Sequence, residues 1–312
     1  MVFISFCQKE SLPSIIGKER IKIMKDIKIV VDTSADMPKE FLEKYDIGLI
    51  NFLTVFNEKS YVAGVDIDND DFYRMLAESD KLPTTAQTPY QDMYDYLLAE
   101  SKNHKTVIYF VISSKGSGQS NTARMVVEEI KEGDNPNADI RIIDTLSYSV
   151  YIASTAVHAA ELVKAGADAD EILKSCAEYI KSWEVYLLVD SLKYLEKGGR
   201  ITKTAAIVGS LLDIKPVLTI RDGLIEPVEK LRGKKKLAKK LIELIKENPE
   251  YDSEKKEFMV IHSDKQKGDE MVEALKDEFG DITLTMFSKF GPIIGTHTGP
   301  GCLAVLFRLK NQ

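Results

Sequence analysis

The sequence contains few cysteines and has no excess of basic residues. Its 312 residues include three cysteines, Cys7, Cys176 and Cys302, which are far apart and form neither a C-x-x-C pair nor a metal-ligand spacing. Asp and Glu number 49 against 42 Lys and Arg, so the formal net charge is −7. This balance argues against a general nucleic-acid binder, which needs clustered cations to neutralise phosphates. The cysteine pattern predicts ordinary thiols in a reducing cytoplasm.

Long hydrophobic runs are also missing. No apolar stretch approaches the ~20 residues that a membrane-spanning helix needs, so no stable membrane insertion is expected. The apolar run 2–7 is shorter than the core of a signal peptide, and no basic segment precedes it. Met24 directly precedes a strand-like segment. We therefore interpret residues 1–25 as an N-terminal extension or as the product of a misplaced start.

Strand and helix patterns alternate through the first half of the chain. Strands are predicted at 27–31, 47–56, 106–112 and 139–144, and the helices between and after them carry apolar residues at helical spacing. This alternation is typical of a parallel α/β layer. Beyond it, a β-hairpin candidate turns at Asp222-Gly223, and further strands and helices follow. We predict an α/β protein with two domains, a parallel α/β layer at 26–170 and a mixed α+β domain at 171–312.

The stretch VISSKGSGQSNTA at 111–123 joins a buried strand to a helix through a Ser/Gly turn. Free backbone N–H groups at a helix start favour an anion, and Ser117 would add a hydroxyl donor. The turn lacks the G-K-[ST] of a Walker A loop, the G-x-S-x-G of a nucleophile elbow and the three spaced glycines of a dinucleotide fingerprint. From these residues alone, the turn either binds an anion or is purely structural.

Three further clusters could contribute to a site. The hydroxyl-rich run PTTAQTP at 83–89 could cap a helix or supply neutral donors. The segment GPIIGTHTGPG at 291–301 is predicted to be a rigid loop that holds His297 in a structural or a functional role. Arg200 follows a Gly-Gly turn and is suited to bidentate contact with a carboxylate or phosphate. No histidine pair has metal spacing, so no metal site is expected.

Two other features have simpler interpretations. Asp36 precedes Pro38 at the predicted start of a helix and is a plausible N-cap. The basic run 232–240 is predicted to be a solvated helix face, with docking of an acidic partner as the alternative.

Several motifs in a fixed order resemble one family. They are VVDTSADMP, YVAGVDI, PTTAQT, the I-S-S…S-G turn, DSLKYLEKGGRI, LLDIKPVL followed by RGKKK, and IGTHTGPG. Together they resemble the DegV family of bacterial fatty-acid-binding proteins, which includes the binding subunit of fatty acid kinase. The resemblance covers about residues 28–307. It implies two α/β domains with the acyl chain in a tunnel between them.

The resemblance also implies roles for individual residues. Thr85, Ser117 and His297 would surround the carboxylate of a bound fatty acid, and Arg200 would assist phosphoryl transfer in members that work with a kinase. The neighbouring residues expected to complete the ligand-binding set are Thr84, Gly118 and Thr298. No cofactor is expected. The sequence departs from the family pattern beside Ser117 and after Thr85, which bears on head-group geometry and chain preference but not on the class of ligand.

A fatty acid poses two separate energetic problems. Burial of about 14 methylenes at ~0.8 kcal/mol each contributes on the order of 11 kcal/mol before ordering costs, so the tail should determine affinity. The carboxylate needs several donors and should determine direction. The expected function is to bind a long-chain fatty acid and present its carboxylate, without intrinsic catalysis, to an ATP-binding kinase. The alternatives are a serine hydrolase using Ser117 and His297, and a lipid store or sensor without a kinase.

Overall fold

The computed structural model describes residues 27–201, 214–233 and 237–310. The predicted extension at 1–25 lies outside these residues. Element numbers below count the helices and strands of the described ranges. Three β-sheets organise them, one of four strands, one of three and one of six.

The four-stranded sheet is parallel throughout and has the strand order β2-β1-β6-β7. Its strands are β1 (Ile27–Asp32), β2 (Gly48–Ile50), β6 (Thr106–Val111) and β7 (Asp139–Asp144). The helices around it are α1 (Lys39–Tyr45), α3 (Tyr90–Asn103), α4 (Gln119–Glu132), α5 (Val150–Ala165) and α6 (Ala169–Lys181). Helices α3 and α4 pack together and contact β6 and β7, whereas α5 contacts β1, β6, α1 and α6. Helices on both faces explain why β6 is a continuous apolar run that is buried from Val107 onward.

The three-stranded sheet is antiparallel, and most of it was not predicted. It consists of β3 (Leu53–Phe56), β4 (Lys59–Val62) and β5 (Thr84–Ala86), with helix α2 (Asn69–Glu78) between β4 and β5. The prediction of one strand across 47–56 was wrong, because the chain changes sheet at Asn51-Phe52. The Phe52 N–H donates to the Thr33 hydroxyl (3.0 Å) at this change. The hydroxyl-rich run at 83–89, predicted to be a helix cap or a source of donors, contributes strand β5.

The six-stranded sheet is mixed, with the order β10-β9-β8-β13-β11-β12. Its strands are β8 (Trp183–Leu188), β9 (Ile214–Arg221), β10 (Leu224–Arg232), β11 (Glu257–His262), β12 (Thr283–Lys289) and β13 (Leu303–Arg308). Only β11 and β12 pair in parallel. The predicted hairpin at Asp222-Gly223 is confirmed as the β9–β10 turn, where Gly223 adopts φ +79°.

The two faces of this sheet bury different partners. Leu188, Val305 and Phe307 belong to a cluster with helices α8 (Leu237–Glu247) and α9 (Lys265–Phe279). Strand residues that alternate with them, such as Leu187 and Leu306, join the core shared with the four-stranded sheet. Because side chains alternate along a strand, one face is left to form a wall towards the first half of the chain.

The segment 291–301 is not a loop. Residues Pro292–Thr298 form helix α10, with Pro292 in its first turn and Gly299 as C-cap. Glycine and proline suggested a loop, but proline at the first helical position fits a helix start because it has no N–H to leave unpaired. Gly295 sits where a Cβ would lie 2.6 Å from Phe72 Cε1, so glycine lets the helix pack closely.

The prediction that Asp36 is the N-cap of the following helix was wrong. Helix α1 begins at Lys39 after the N-cap residue Pro38, which makes no side-chain cap bond. The Asp36 carboxylate accepts hydrogen bonds from Ser149 and Gly291 instead.

Two short elements remain, helix α7 (Lys193–Lys197) and a 3-10 helix at Thr33–Ala35. None of the described helices is long and apolar enough to cross a membrane. The domain boundary near residue 170 stays a prediction.

Candidate functional site

A cavity lies between the inner face of the six-stranded sheet and the elements of the first half of the chain. With its mouth it contains about 780 Å³ of space free of protein atoms. Strands β8, β11 and β13 contribute one wall, and the start of α5 and helix α10 contribute the opposite side. A cleft between two layers of a fold is a common place for a small-molecule site.

Most of the cavity wall is apolar. The aliphatic and aromatic residues that line it are Phe52, Ile112, Val150, Tyr151, Val185, Leu187, Leu195, Ile220, Ile225, Ile261, Phe290, Ile293, Ile294, Ala304 and Leu306. Leu187, Ala304 and Ile261 are register neighbours on three adjacent strands, so the sheet offers a continuous apolar surface. The cavity is therefore suited to a hydrocarbon chain.

The polar lining residues come from distant parts of the chain. They are Thr85, Gly116, Ser117, Tyr148, Ser149, Arg200, His297 and Thr298. Thr85 on β5 and His297 in the last turn of α10 lie in direct contact, with Oγ1 and Nε2 2.9 Å apart. Ser114, Lys115 and Gly118 of the Ser/Gly turn are exposed, so the polar residues reach the protein surface there.

His297 is a neutral group in this setting. Burial lowers its pKa to about 4, and the positive charge of Arg200 acts in the same direction. Its Nδ1 atom is buried without a hydrogen-bond partner in the described part of the chain. Gly198 permits this packing, because a Cβ there would lie 2.3 Å from Nδ1. The imidazole can therefore serve as an uncharged hydrogen-bonding group.

Arg200 is held at the cavity by backbone carbonyls. Its Nε donates to Gly116 O (3.0 Å), and Nη1 donates to Gly198 O. These bonds link the Gly-Gly turn after α7 to the Ser/Gly turn before α4. Among the described residues that line the cavity, Arg200 is the one with a positively charged side chain. It therefore favours an anion at the polar end of the cavity.

The Ser117 turn rests on a buried polar network. The Gln119 side chain donates to Tyr109 Oη (3.0 Å) and Thr88 Oγ1 (2.8 Å), and Tyr109 in turn donates to Asp32 (3.1 Å). The Gln119 backbone N–H donates to Ser117 Oγ (3.3 Å). Burial raises the pKa of Asp32 to about 6, although bonds from Ser34 and Tyr109 oppose this shift. The network fixes the first turn of α4, and with it the position of Ser117.

The predicted site residues are only partly brought together. Thr85, Ser117, Arg200, His297 and Thr298 line the cavity, whereas Thr84 and Gly118 are exposed and do not. The Thr298 hydroxyl donates to Ile294 O (3.1 Å) within its own helix. Thr84 precedes Thr85 on β5, and consecutive strand residues face opposite sides.

Sequence reasoning missed two polar residues of the cavity, Tyr148 and Ser149. The Tyr148 hydroxyl donates to Gly223 O (2.8 Å) at the tip of the β9–β10 hairpin. Ser149 has a left-handed φ of +57° and donates to Asp36 (2.5 Å). One signal was available, since both residues closely follow β7, and ligands of parallel α/β layers bind at the carboxyl ends of the strands.

The arrangement does not resemble a nucleophile–base pair. His297 Nε2 contacts Thr85, and among the described residues no hydrogen bond joins His297 to Ser117. Within the same ranges, no group of three or more His, Cys, Asp or Glu residues could hold a metal ion. The geometry provides hydrogen-bond donors and one cation at the end of an apolar cavity.

Comparison with known proteins agrees with the motifs and the fold. The family model described as "Uncharacterised protein, DegV family" matches residues 26–310. The chain belongs to the DegV family. A fatty acid-binding protein of Thermotoga maritima is 33% identical over 283 residues, covering 88% of this chain and 95% of that protein.

Solved structures of similar proteins have a similar fold. The crystal structure of DegV, a fatty acid binding protein from Bacillus subtilis, is similar with a TM-score of 0.78 and 30% identity, and the match covers 92% of this chain and all of that one. A stearic acid-binding protein from Eubacterium ventriosum is similar with a TM-score of 0.82 and 27% identity, over 90% of this chain and 98% of that one.

Proposed function

We propose that this DegV protein binds one long-chain fatty acid, with the acyl chain in the apolar cavity and the carboxylate at Thr85, Ser117, Arg200 and His297. The observation that carries the proposal is a cavity whose apolar wall leads to a small cluster of polar groups, Thr85, Ser117, Arg200 and His297. The names of the Thermotoga maritima and Bacillus subtilis relatives support this class of ligand.

The charge pattern suits a carboxylate better than a neutral lipid. An ionised carboxylate must be hydrogen-bonded when it is buried, and hydroxyls together with a neutral imidazole can donate to it. Arg200 balances its charge and is itself held by two carbonyls. Bonds to a charged group are each worth about 1.5–3 kcal/mol, so a few donors are enough to orient the head group.

Mass spectrometry of lipid extracted from the protein, purified without added ligand, tests this proposal. We expect free fatty acids at close to one per chain. Titration of the delipidated protein with palmitic acid should give saturable binding with one site. Recovery of no fatty acid, together with no binding of palmitic acid, would refute the proposal.

We further propose that the carboxylate is presented to an ATP-binding kinase in the cytoplasm, where it becomes an acyl phosphate. The exposed turn around Lys115 leaves the polar end accessible to a partner. The cation of Arg200 could stabilise the incoming phosphoryl group. The basic run 232–240, of which residues 234–236 lie outside the described ranges, is a candidate docking face for an acidic partner.

Substitution of Arg200 tests the second proposal. Arg200→Ala should keep saturable binding of palmitic acid but lower acyl-phosphate formation when the kinase partner, isolated by pull-down, and ATP are added. Equal loss of binding and phosphorylation would remove any separate role in phosphoryl transfer. Absence of an ATP-binding partner in the pull-down would favour a lipid store or sensor.

A further inference from the structure

We propose that Asp36 is a positioning residue for the head-group site, acting through Gly291 and Ser149 without contact with the ligand. This inference rests on the proposed fatty-acid binding. It assigns a role to an aspartate that lies four residues after β1 and that neither serves as the N-cap of α1 nor lines the cavity.

The carboxylate of Asp36 joins two segments that lie far apart in sequence. Its Oδ1 accepts from the Gly291 N–H (2.8 Å), and its Oδ2 accepts from the Ser149 hydroxyl (2.5 Å). The Asp36 backbone carbonyl accepts from the Ser288 hydroxyl (2.7 Å). Asp36 is only 8% exposed, so these bonds are made away from water, where each is costly to lose.

Gly291 is the residue through which Asp36 reaches His297. It is the N-cap of α10, and His297 lies six residues further along, about 9 Å at 1.5 Å per residue. A Cβ on Gly291 would lie 2.8 Å from Asp36 Oδ1, so the contact requires a residue without a side chain. The φ of Gly291 is −80°, which any residue can adopt. Its need for glycine therefore comes from the close approach of the carboxylate.

Ser149 is the second segment that Asp36 holds. This residue lines the cavity and precedes α5 with φ +57° and ψ −135°, a conformation that is unfavourable for a side chain with a Cβ. Two bonds hold it there, from its N–H to Ser34 O (3.1 Å) and from its hydroxyl to Asp36. One carboxylate thus fixes the start of α10 and the start of α5, on the same side of the cavity.

These contacts predict a specific defect when the carboxylate is altered. In Asp36→Asn, the amide has one acceptor where the carboxylate has two, so Gly291 or Ser149 loses its partner. Loss of the bond at Gly291 would displace α10 and so lengthen the distance between His297 Nε2 and Thr85 Oγ1. The donors would then no longer fit a carboxylate, whereas the apolar wall for the tail would be unchanged.

The test compares two ligands with the same chain, palmitic acid and hexadecan-1-ol, at a pH above 7, because burial raises the pKa of Asp36 to about 7 and its carboxylate must be ionised. Asp36→Asn should weaken binding of palmitic acid about tenfold, the loss expected for one bond to a charged group, and binding of the alcohol less than twofold. The matched control is Ser288→Ala, which removes the bond to the Asp36 backbone carbonyl and leaves the carboxylate intact. It should change both affinities by the same small factor.

A ligand-independent measurement separates this inference from the proposed function. The ring ¹⁵N signals of His297, assigned by their loss in His297→Gln, should shift in Asp36→Asn and not in Ser288→Ala. If the wild-type protein binds no palmitic acid, the proposed function fails and these signals decide the inference. If the wild-type protein does bind palmitic acid, two outcomes refute the inference. In one, Asp36→Asn loses affinity for both ligands equally. In the other, neither binding nor the His297 signals change in Asp36→Asn.

A second variant guards against a protein that fails to fold without Asp36. Gly291→Ala retains the carboxylate but places a Cβ 2.8 Å from Oδ1, which is too close for the contact to remain as it is. It should show the same preference for the alcohol over the acid and the same shift of the His297 signals. Wild-type behaviour in Gly291→Ala would overturn the inference without reference to Asp36→Asn.

Discussion

Thr85 Oγ1 and His297 Nε2 lie 2.9 Å apart, although 212 residues separate them in the chain. Thr85 belongs to the small antiparallel sheet, and His297 belongs to the short helix after the last strand but one. The contact therefore forms only when the first and last parts of the chain are packed together. The polar end of the cavity is a product of the whole fold.

The hydroxyl of Thr85 should contribute to head-group binding. Thr85→Val removes the hydroxyl at nearly constant volume, so we expect about tenfold weaker binding of palmitic acid and little change for hexadecan-1-ol. Thr84→Val is the matched control, because Thr84 is the exposed neighbour that does not line the cavity. Calorimetric titration measures both. Equal losses in the two variants would mean that the carboxylate lies elsewhere.

Two buried groups should act on stability in opposite directions with pH. His297 has a pKa of about 4 when folded against 6.5 when exposed, so the unfolded chain binds more protons between these values. This contribution makes the free energy of unfolding rise with pH from about 4 to 6.5. Burial raises the pKa of Asp36 from 3.8 to about 7, helped by the charge of Asp32 and opposed by bonds from Ser149 and Gly291. Between pH 3.8 and about 7, Asp36 therefore binds more protons in the folded chain than in the unfolded chain. Its contribution to the free energy of unfolding falls as pH rises through this range.

Urea unfolding between pH 4.5 and 6.5 measures the two contributions. His297→Gln removes a contribution that rises with pH, so the slope of the free energy of unfolding against pH should be more negative than in the wild type. Asp36→Asn removes a contribution that falls with pH, so the slope should be more positive. The other titrating groups near Asp36, namely Asp32, Tyr73 and Cys302, remain in both variants. Parallel curves for all three proteins would contradict the two assignments.

The sequence predicted several of the polar residues that line the cavity, but not how they are arranged. Thr85, Ser117, Arg200 and His297 were named from local cues, such as hydroxyls before a helix and glycines around a turn, and from family motifs. The parallel layer was predictable because helix and strand periodicities are local properties of the chain. Helix α10 was missed because four glycines and two prolines in eleven residues outweigh an apolar pattern that spans only seven.

The supporting contacts could not have been predicted in this way. Asp36 meets Ser149 across 113 residues and Gly291 across 255. No local periodicity reports such pairings, and an aspartate before a proline is a reasonable helix cap by every local rule. The split at Asn51-Phe52 has a similar cause, because the sheet to which a short strand belongs is decided by its distant partners.

The tip of the β9–β10 hairpin should control how fast the ligand leaves. The hydroxyls of Ser113 and Tyr148 both donate to Gly223 O, each at 2.8 Å, and the hairpin residues Ile220 and Ile225 line the cavity. Loss of one such neutral bond is worth about 0.5–1.5 kcal/mol. Tyr148→Phe should therefore release a fluorescent fatty acid about two- to tenfold faster in stopped-flow displacement.

A second tyrosine provides the control for this experiment. Tyr90→Phe removes the hydroxyl bond to Glu129 on the outer surface of helices α3 and α4, and Tyr90 does not line the cavity. Its release rate should equal that of the wild type. An unchanged rate in Tyr148→Phe would show that the hairpin tip does not open during release.

The apolar wall should determine chain length, and Ala304 is the position at which to test it. Ala304 lies between Leu187 and Ile261 in the sheet and lines the cavity. Each buried methylene contributes ~0.8 kcal/mol, so affinity for saturated acids should rise about fourfold per methylene until the cavity is full. Affinity should then reach a plateau. Ala304→Leu fills part of the cavity, so its plateau should begin at an acid about three methylenes shorter than in the wild type.

The neighbouring Val305 separates this steric effect from a general loss of stability. It faces the opposite cluster under α8 and α9, so Val305→Ile adds a methylene to a packed core without entering the cavity. Overpacking of this kind costs about 1–3 kcal/mol of folding stability. Thermal unfolding should therefore show lower stability for Val305→Ile than for the wild type. Its affinity for fatty acids should reach a plateau at the same chain length as in the wild type. If Ala304→Leu also keeps the wild-type plateau, the tail does not lie along β13.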